Sequence, residues 1–460
     1  MMDWINCISA QRSGKYKSSN SSRSEYQRDY DRLIFSSAFR RLQNKTQVFA
    51  LPGNVFVHNR LTHSLEVSSV GRSLGNLVGE HLELEPEVKK NDASREFYKY
   101  ELPYVISAAC LAHDVGNPPF GHSGEKAISF FFEKNEHELR GHFSDKEWKD
   151  LSNFEGNANA LHILTTNYTG KISGGQTLTF TTLASILKYP CEADVMSKAS
   201  KHTKKYGFFQ SDKTQFLEIA RETKLIKDNQ NSVGGNIAFK RHPFVYLVEA
   251  ADDICYRVID MEDAHRIGIL SNDHVVECFT SIIRELDRPE VKVGKIKQRL
   301  ANLQDKNERV AYLRAKLINA LVLECADVFV KYKEEIITGN WNNTLVDYIE
   351  DRSPELKAAN DTSIKMIYNH RSVIEVELAA FNVLSELLEL FIMPKLKSKK
   401  LNHIEEKTLA LIPPQFIPEH ANASPYEHVI RIVDFIAGMT DGFATELYRK
   451  SKGIEIAAHR

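Results

Sequence analysis

Residues 105–113 (Val-Ile-Ser-Ala-Ala-Cys-Leu-Ala-His) are apolar on nearly every side, and the run is opened by Pro103 and stopped by Gly116-Asn117-Pro118-Pro119. Proline suits the first turn of a helix, and a helix that is apolar all round has to be central. Only other apolar faces can cover it, and the rest of the chain supplies them as helices. Tyr30, Leu33, Ile34, Phe39 and Leu42 turn inward from a helix over 26–43. Leu61, Leu65, Val70, Leu74, Leu77 and Val78 do the same from a helix over 61–80, near the 3.6-residue period. Further helices are expected over 244–264, opened by Pro243, and over 310–333, 373–391 and 425–450. Strand signals are limited to two short stretches, 51–57 and 177–182. The fold class expected is all-α.

Composition narrows the function classes. Of 460 residues 42% are hydrophobic, enough for a sizeable core and too many for a disordered chain. Sixty basic residues against 61 acidic ones leave a net charge of −1, which excludes a bulk polycation that coats nucleic acid, so phosphate affinity must come from local clusters. No run is apolar for the ~20 residues of a membrane span. Met1-Met2-Asp3-Trp4 lacks the basic-then-apolar layout of a secretory signal, and a cytoplasmic location is expected. The six cysteines (Cys7, Cys110, Cys191, Cys255, Cys278 and Cys325) are scattered and include no Cys-x-x-Cys, which reads as buried thiols rather than a disulfide framework or a zinc site.

Chemistry concentrates where hard-to-bury groups meet apolar helices. His113-Asp114 ends the central helix, and an imidazole nitrogen beside a carboxylate suits a divalent metal. The dipeptide alone is as well explained by a histidine capping the helix end beside an exposed aspartate. Two features add to it. His63 stands at the start of the 61–80 helix, and Glu249, Asp252 and Asp253 lie within an otherwise apolar helix, where an acid is costly unless paired or metal-bound. Asp252, Tyr256 and Asp260 follow at spacings of four, so acid, phenol and acid share one helix face. A lined pocket explains that face, and a salt-bridge ladder to Arg257 or Arg266 is the alternative.

His63, His113-Asp114 and Asp252 resemble the H…HD…D ligand set of HD-domain metallohydrolases. Longer stretches are similar to the dGTPase-like deoxynucleotide triphosphohydrolases: 38–47 (Ala-Phe-Arg-Arg-Leu-Gln-Asn-Lys-Thr-Gln), 59–64, 113–125 (His-Asp-Val-Gly-Asn-Pro-Pro-Phe-Gly-His-Ser-Gly-Glu), 154–158, 187–190 and 241–263. The resemblance is dense over 25–265 and returns weakly at 434–441. It implies an HD-domain metal-dependent phosphohydrolase core at 25–270. A flexible segment over 1–24 would precede it, and a helical C-terminal region over 271–460 would end in a helix that packs back on the core.

The same resemblance implies hydrolysis of a dNTP substrate to deoxynucleoside and inorganic triphosphate by attack at the α-phosphorus. It implies a divalent cation, Mn²⁺ or Mg²⁺ foremost, held by His63, His113, Asp114 and Asp252. Two imidazoles would also admit Fe²⁺, Co²⁺, Ni²⁺ or Zn²⁺. His122 would transfer a proton, with Glu125 orienting it and Ser123 available to cap the helix that follows. Gln47 and Asp260 would hold the sugar 3′-hydroxyl, Tyr256 would exclude a 2′-hydroxyl, and Tyr189 would close the sugar side. Arg60, Lys188 and Lys205 would contact phosphates. The family also implies a homo-oligomer, dimer-based and up to a hexamer, and single-stranded DNA as an effector in some members. The Lys-rich run at 395–400 lacks the aromatics of a single-strand groove and reads as a solvated loop. Two other readings share the scaffold: a phosphohydrolase acting on another nucleotide phosphoester, and a nucleotide-sensing HD protein.

Overall fold

In the computed structural model, which describes residues 2–13, 22–49, 57–170, 175–232, 234–397, 400–420 and 422–454, the central helix is met by a partner that has glycine on its contact face. The elements that position the site are α1 (Glu25–Ile34), α2 (Arg60–Leu82), α3 (Leu102–Ala112), α4 (His122–Lys134), α5 (Gly156–Thr165), α6 (Val245–Arg266), α7 (Lys306–Lys331), α8 (Arg371–Leu396), α9 (Pro425–Ala437) and α10 (Asp441–Ser451). No strand occurs among the described residues, only isolated bridges such as Thr46 with Asn59.

Gly71, Gly75 and Gly79 recur every fourth residue on α2 and face α3. A Cβ would lie 2.5 Å from Cys110 Sγ at Gly71, 2.9 Å from Pro103 Cα at Gly75 and 2.3 Å from the Tyr98 carbonyl oxygen at Gly79. The two backbones therefore approach more closely than any other residue would permit. Leu65, expected inward, is 40% exposed. It lies about 120° round the helix from Gly71, off the contact face. In α3 every residue but Tyr104 is buried. Helices α6 and α7 also pack on α2, and α1 packs on α3. A second apolar core gathers α4, α8 and α9.

Several sequence expectations change. The helix expected over 26–43 ends at Ile34. Ser36 then accepts the Phe39 N–H at 3.1 Å and restarts the chain as a short turn, a local side-chain bond that competes with helix continuation. The helix expected over 425–450 is likewise two, broken at Gly438 and restarted by Thr440, which accepts the Phe443 N–H at 3.2 Å. Thr179 is not a strand residue; it caps the helix Phe180–Ile186. Of the other strand candidate, 51–56 lie outside the described residues.

The first residues of the chain, expected to be flexible, pack against the core. Met2, Trp4 and Cys7 are buried, Tyr98 Oη donates to the Trp4 carbonyl at 2.6 Å, and His242 Nε2 donates to the Cys7 carbonyl at 3.0 Å. Burial of a tryptophan explains why this segment is held. Residues 14–21 of the expected flexible stretch lie outside the described residues. All six cysteines are free, and five are buried. No helix among the described residues is long and apolar enough to cross a membrane.

One buried charge cluster ties the two cores together. His162 on α5 sits between Asp212 (Nδ1 to Oδ1, 2.7 Å) and Asp434 on α9 (Nε2 to Oδ2, 3.0 Å), with Thr166 beside the ring and Arg431 at 3.9 Å from Asp434. Burial alone would push this imidazole down, but Asp212 and Asp434 hold it protonated, with a pKa raised to about 10. An unfolded histidine titrates near ~6.5, so the stabilisation is complete below that pH and is lost as pH rises towards 10. His162→Gln should cost about 3–5 kcal/mol at neutral pH, because it strands two buried carboxylates. The gap in unfolding free energy between wild type and variant should narrow from pH 7 to pH 10 in denaturant titrations; a constant gap would contradict a charged His162.

Candidate metal centre and nucleotide cavity

The site forms where α2, α3 and α6 meet. Asn59 caps α2 by accepting the Thr62 N–H at 2.9 Å, and so places His63 in the first turn. His113 and Asp114 follow the last residue of α3. Asp252 lies in the second turn of α6, the helix that packs against α2. The His63 and His113 rings stand 5.6 Å apart. Asp252 Oδ1 is 3.0 Å from His63 Nε2 and 3.4 Å from His113 Nε2, and Asp114 Oδ1 is 3.5 Å from His113 Nε2. Donor atoms of His63, His113 and Asp114 lie within 4.8 Å of one another.

This arrangement fits a cation on three counts. Ligands about 2.1 Å from one ion stand ~3 Å apart when adjacent, which is the spacing found here. His113 Nδ1 donates to the Cys110 carbonyl at 2.6 Å, fixing the tautomer that frees Nε2 for coordination. That Nε2 is buried and makes no hydrogen bond among the described residues. Charge points the same way. Burial would lower His113, yet Asp114 and Asp252 raise it to about 9. Burial would raise Asp114, yet Arg60 at 2.7 Å and the two histidines hold it down at about 2. The carboxylates are ionised and call for positive charge between them. Neither Arg257 nor Arg266 serves Asp252: Arg257 pairs with Asp347 and Glu350, and Arg266 with Glu262.

The cluster opens into a cavity of about 540 Å³. His122 begins α4, and its Nδ1 donates to Glu125 Oε2 at 2.8 Å, while Glu125 Oε1 accepts the Gly156 N–H at 2.8 Å. Burial would raise the Glu125 carboxyl; these bonds and nearby Lys205 hold it below its usual range. Ser123 does not cap α4. Gly121 takes the cap position, and Ser123 Oγ donates to Glu377 at 3.2 Å.

Across the cavity Tyr256 stacks on Tyr368, with centroids 5.1 Å apart at 17°. Tyr368 Oη donates to Asp260 Oδ2 at 2.8 Å. Asp252 and Tyr256 thus face the cavity directly, while buried Asp260 reaches it through Tyr368. Gln47 lines the cavity, and its Oε1 is buried without a hydrogen-bond partner among the described residues. Tyr189 lines it too. The three cations expected to meet phosphate are already engaged: Arg60 with Asp114, Lys188 with Glu249 at 3.2 Å, and Lys205 with Glu155 at 2.7 Å. Sequence reasoning missed Tyr368, Val373, Val376 and Glu377, which line the cavity from the C-terminal half. Tyr368 follows a π-helical turn that carries no periodic signal. Glu377, in the mostly apolar 373–391 run, was a readable hint. Lys397 of the basic run pairs with Glu405, and residues 398–399 lie outside the described ones.

An all-α core that brings His63, His113 and Asp114 within 4.8 Å of one another, with Asp252 at 3.0–3.4 Å from the two imidazoles, is in keeping with the HD-domain metal-dependent phosphohydrolases. Residues 60–150 match the HD domain, and residues 349–450 match the phosphohydrolase-associated domain. The chain belongs to the deoxyguanosinetriphosphate triphosphohydrolase-like family. It is 36% identical to a deoxyguanosinetriphosphate triphosphohydrolase-like protein of Synechocystis, over 99% of this chain and 100% of the relative. It is 34% identical to one of Pseudomonas aeruginosa, over 98% and 99% of the two chains. It is also similar, at 29% identity over 94% of each chain, to a deoxyguanosinetriphosphate triphosphohydrolase of Yersinia enterocolitica.

Metal retention tests the ligand set without reference to turnover. Mn²⁺ at ~100 times its Kd should stabilise the wild type by about 2.7 kcal/mol, and should not raise the Tm of His113→Ala or Asp252→Ala. Thermal scans with and without Mn²⁺, together with elemental analysis, read this directly. An undiminished Mn²⁺-dependent rise in Asp252→Ala would remove Asp252 from the set.

Proposed function

We propose that this protein hydrolyses deoxynucleoside triphosphates, dGTP or a broader set, to deoxynucleoside and intact inorganic triphosphate by attack of water at the α-phosphorus. The observation that carries the reading is the meeting, in one cavity, of the His63–His113–Asp114–Asp252 cluster, His122 (held from behind by Glu125) and the Tyr256–Tyr368 stack. The names of the similar proteins agree with it. His63, His113, Asp114 and Asp252 would hold a divalent cation, Mn²⁺ or Mg²⁺ foremost, which when bound supplies Lewis-acid polarisation of the phosphoryl group and activation of water.

The remaining work falls to side chains. Glu125 holds His122 Nδ1–H, so proton transfer takes place at His122 Nε2, on the side chain's solvent-reaching edge. Arg60, Lys188 and Lys205 exchange their carboxylate partners for the triphosphate, whose roughly four negative charges outbid single carboxylates. Gln47 Oε1 accepts from the sugar 3′-hydroxyl. Asp260 acts on the sugar by fixing Tyr368 against Tyr256, and Tyr189 closes that side. Tyr256 occupies the space a 2′-hydroxyl would need, so ribonucleotides are rejected sterically.

Incubation with each dNTP and NTP in Mn²⁺, followed by ³¹P NMR, should show inorganic triphosphate from dNTPs and little turnover of NTPs. Orthophosphate or pyrophosphate as the product would overturn the reading in favour of another phosphoester hydrolysis. Tyr256→Ala should raise kcat/KM for NTPs relative to dNTPs by about ten- to a hundredfold. Unchanged discrimination would take the sugar role from Tyr256.

A further inference from the structure

The two residues before His122 are both in the left-handed region, with φ of 63° at Phe120 and 60° at Gly121. Glycine adopts this freely, and its Cβ position is in any case occupied by Arg60 Nη2 at 2.4 Å. For phenylalanine the conformation is uncommon and disfavoured, so something outside the turn has to hold it. Asp441, the first residue of α10, does so. Its Oδ1 accepts the Phe120 N–H at 3.0 Å, and its Oδ2 accepts the Thr46 N–H at 2.8 Å. One carboxylate thus links the backbone beside Gln47 to the backbone beside His122. The side chain is buried and does not line the cavity.

Neighbouring bonds clasp the same stretch. Lys45 Nζ donates to the Asn117 carbonyl at 2.6 Å and to the Ala437 carbonyl at 2.7 Å, and Arg41 Nη1 donates to the Gly438 carbonyl at 3.0 Å. Residues 437–441 of the C-terminal half are therefore bound to both walls of the site: the 41–47 stretch and the 117–121 turn. A carboxylate suits this place because it accepts from two separate N–H groups at once. An asparagine would turn its amide N–H₂ against one of them.

We propose that Asp441 is a positioning residue for the reaction: through the Phe120 and Thr46 amides it sets His122 and Gln47 in register with the metal ligands, so the C-terminal half is part of the catalytic apparatus. The kinetic side of this proposal rests on the function proposed above; the structural side does not.

The test uses Asp441→Asn and Asp441→Ala in the full chain, with Phe279→Leu in the helix Asn272–Leu286 as a core-destabilised control. Well below the unfolding temperature, the Asp441 variants should lose about 10- to 100-fold in kcat for triphosphate release with KM within about twofold, whereas Phe279→Leu keeps its kcat. Independently of turnover, exchange of the Phe120 amide should accelerate by about tenfold or more. The His122 imidazole NMR signal, identified by its loss in His122→Ala, should shift. A kcat loss no larger than that of Phe279→Leu at equal loss of Tm overturns the proposal, as do unchanged Phe120 exchange and an unmoved His122 signal. If the wild type releases no triphosphate, or His122→Ala turns over normally, the functional reading fails, and the exchange and NMR measurements alone decide whether Asp441 positions His122.

Discussion

Two ionised carboxylates held among apolar helices are the constraint on which this structure turns. Asp114 and Asp252 are costly where they stand unless positive charge lies between them, and His113 and Arg60 converge to supply part of it. That convergence depends on how closely three helices can approach. The glycine face of α2 lets Cys110, Ile106 and the Pro103 backbone of α3 seat directly on the α2 backbone; the two imidazoles stand 5.6 Å apart, and α6 delivers Asp252 across both. The candidate metal centre is in this sense a product of helix packing: its residues sit at helix ends or within buried turns, where packing leaves them little freedom.

The cavity beside the centre has two walls of different origin. One comes from the HD core and carries the cluster, His122 and the paired cations. The other comes from the C-terminal half and contributes Tyr368, Val373, Val376 and Glu377. Charges on the first wall are already matched, Lys188 to Glu249 and Lys205 to Glu155, so neither lysine is left bare. The His162 triad and the carboxylate of Asp441 tie α9 and α10, from the same C-terminal half, to the N-terminal half. Both use charge-assisted hydrogen bonds between segments far apart in sequence, the kind whose geometry is most directional.

Much of the candidate site was legible because its signals are local. His113-Asp114 followed by a Gly-Asn-Pro-Pro turn, and acids spaced by four in an apolar helix, are anomalies that a reader of sequence can see. The glycine stripe at 71, 75 and 79 is equally local, but glycine carries no apolar signal of its own, so the leucine and valine period of the same helix does not show which face meets α3. The break at Ser36 and the break at Gly438 were hidden, because continuous apolar spacing does not reveal a serine or threonine that captures a backbone N–H instead. Trp4 and Cys7 lie in a short segment without period, so only their burial marks that segment as held.

What the chain alone determined was the all-α class, the central position of the 105–113 helix and the types of ligand available to a cation, each of which follows from the 3.6-residue period and from the cost of burying charge. Tertiary structure decided which groups meet. It set Asp260 behind Tyr368, gave Lys188 and Lys205 a carboxylate each, and placed Asp441 under the His122 turn. Pairings of this kind join residues tens to hundreds of positions apart, and no local pattern encodes them; they exist only once the helices have packed.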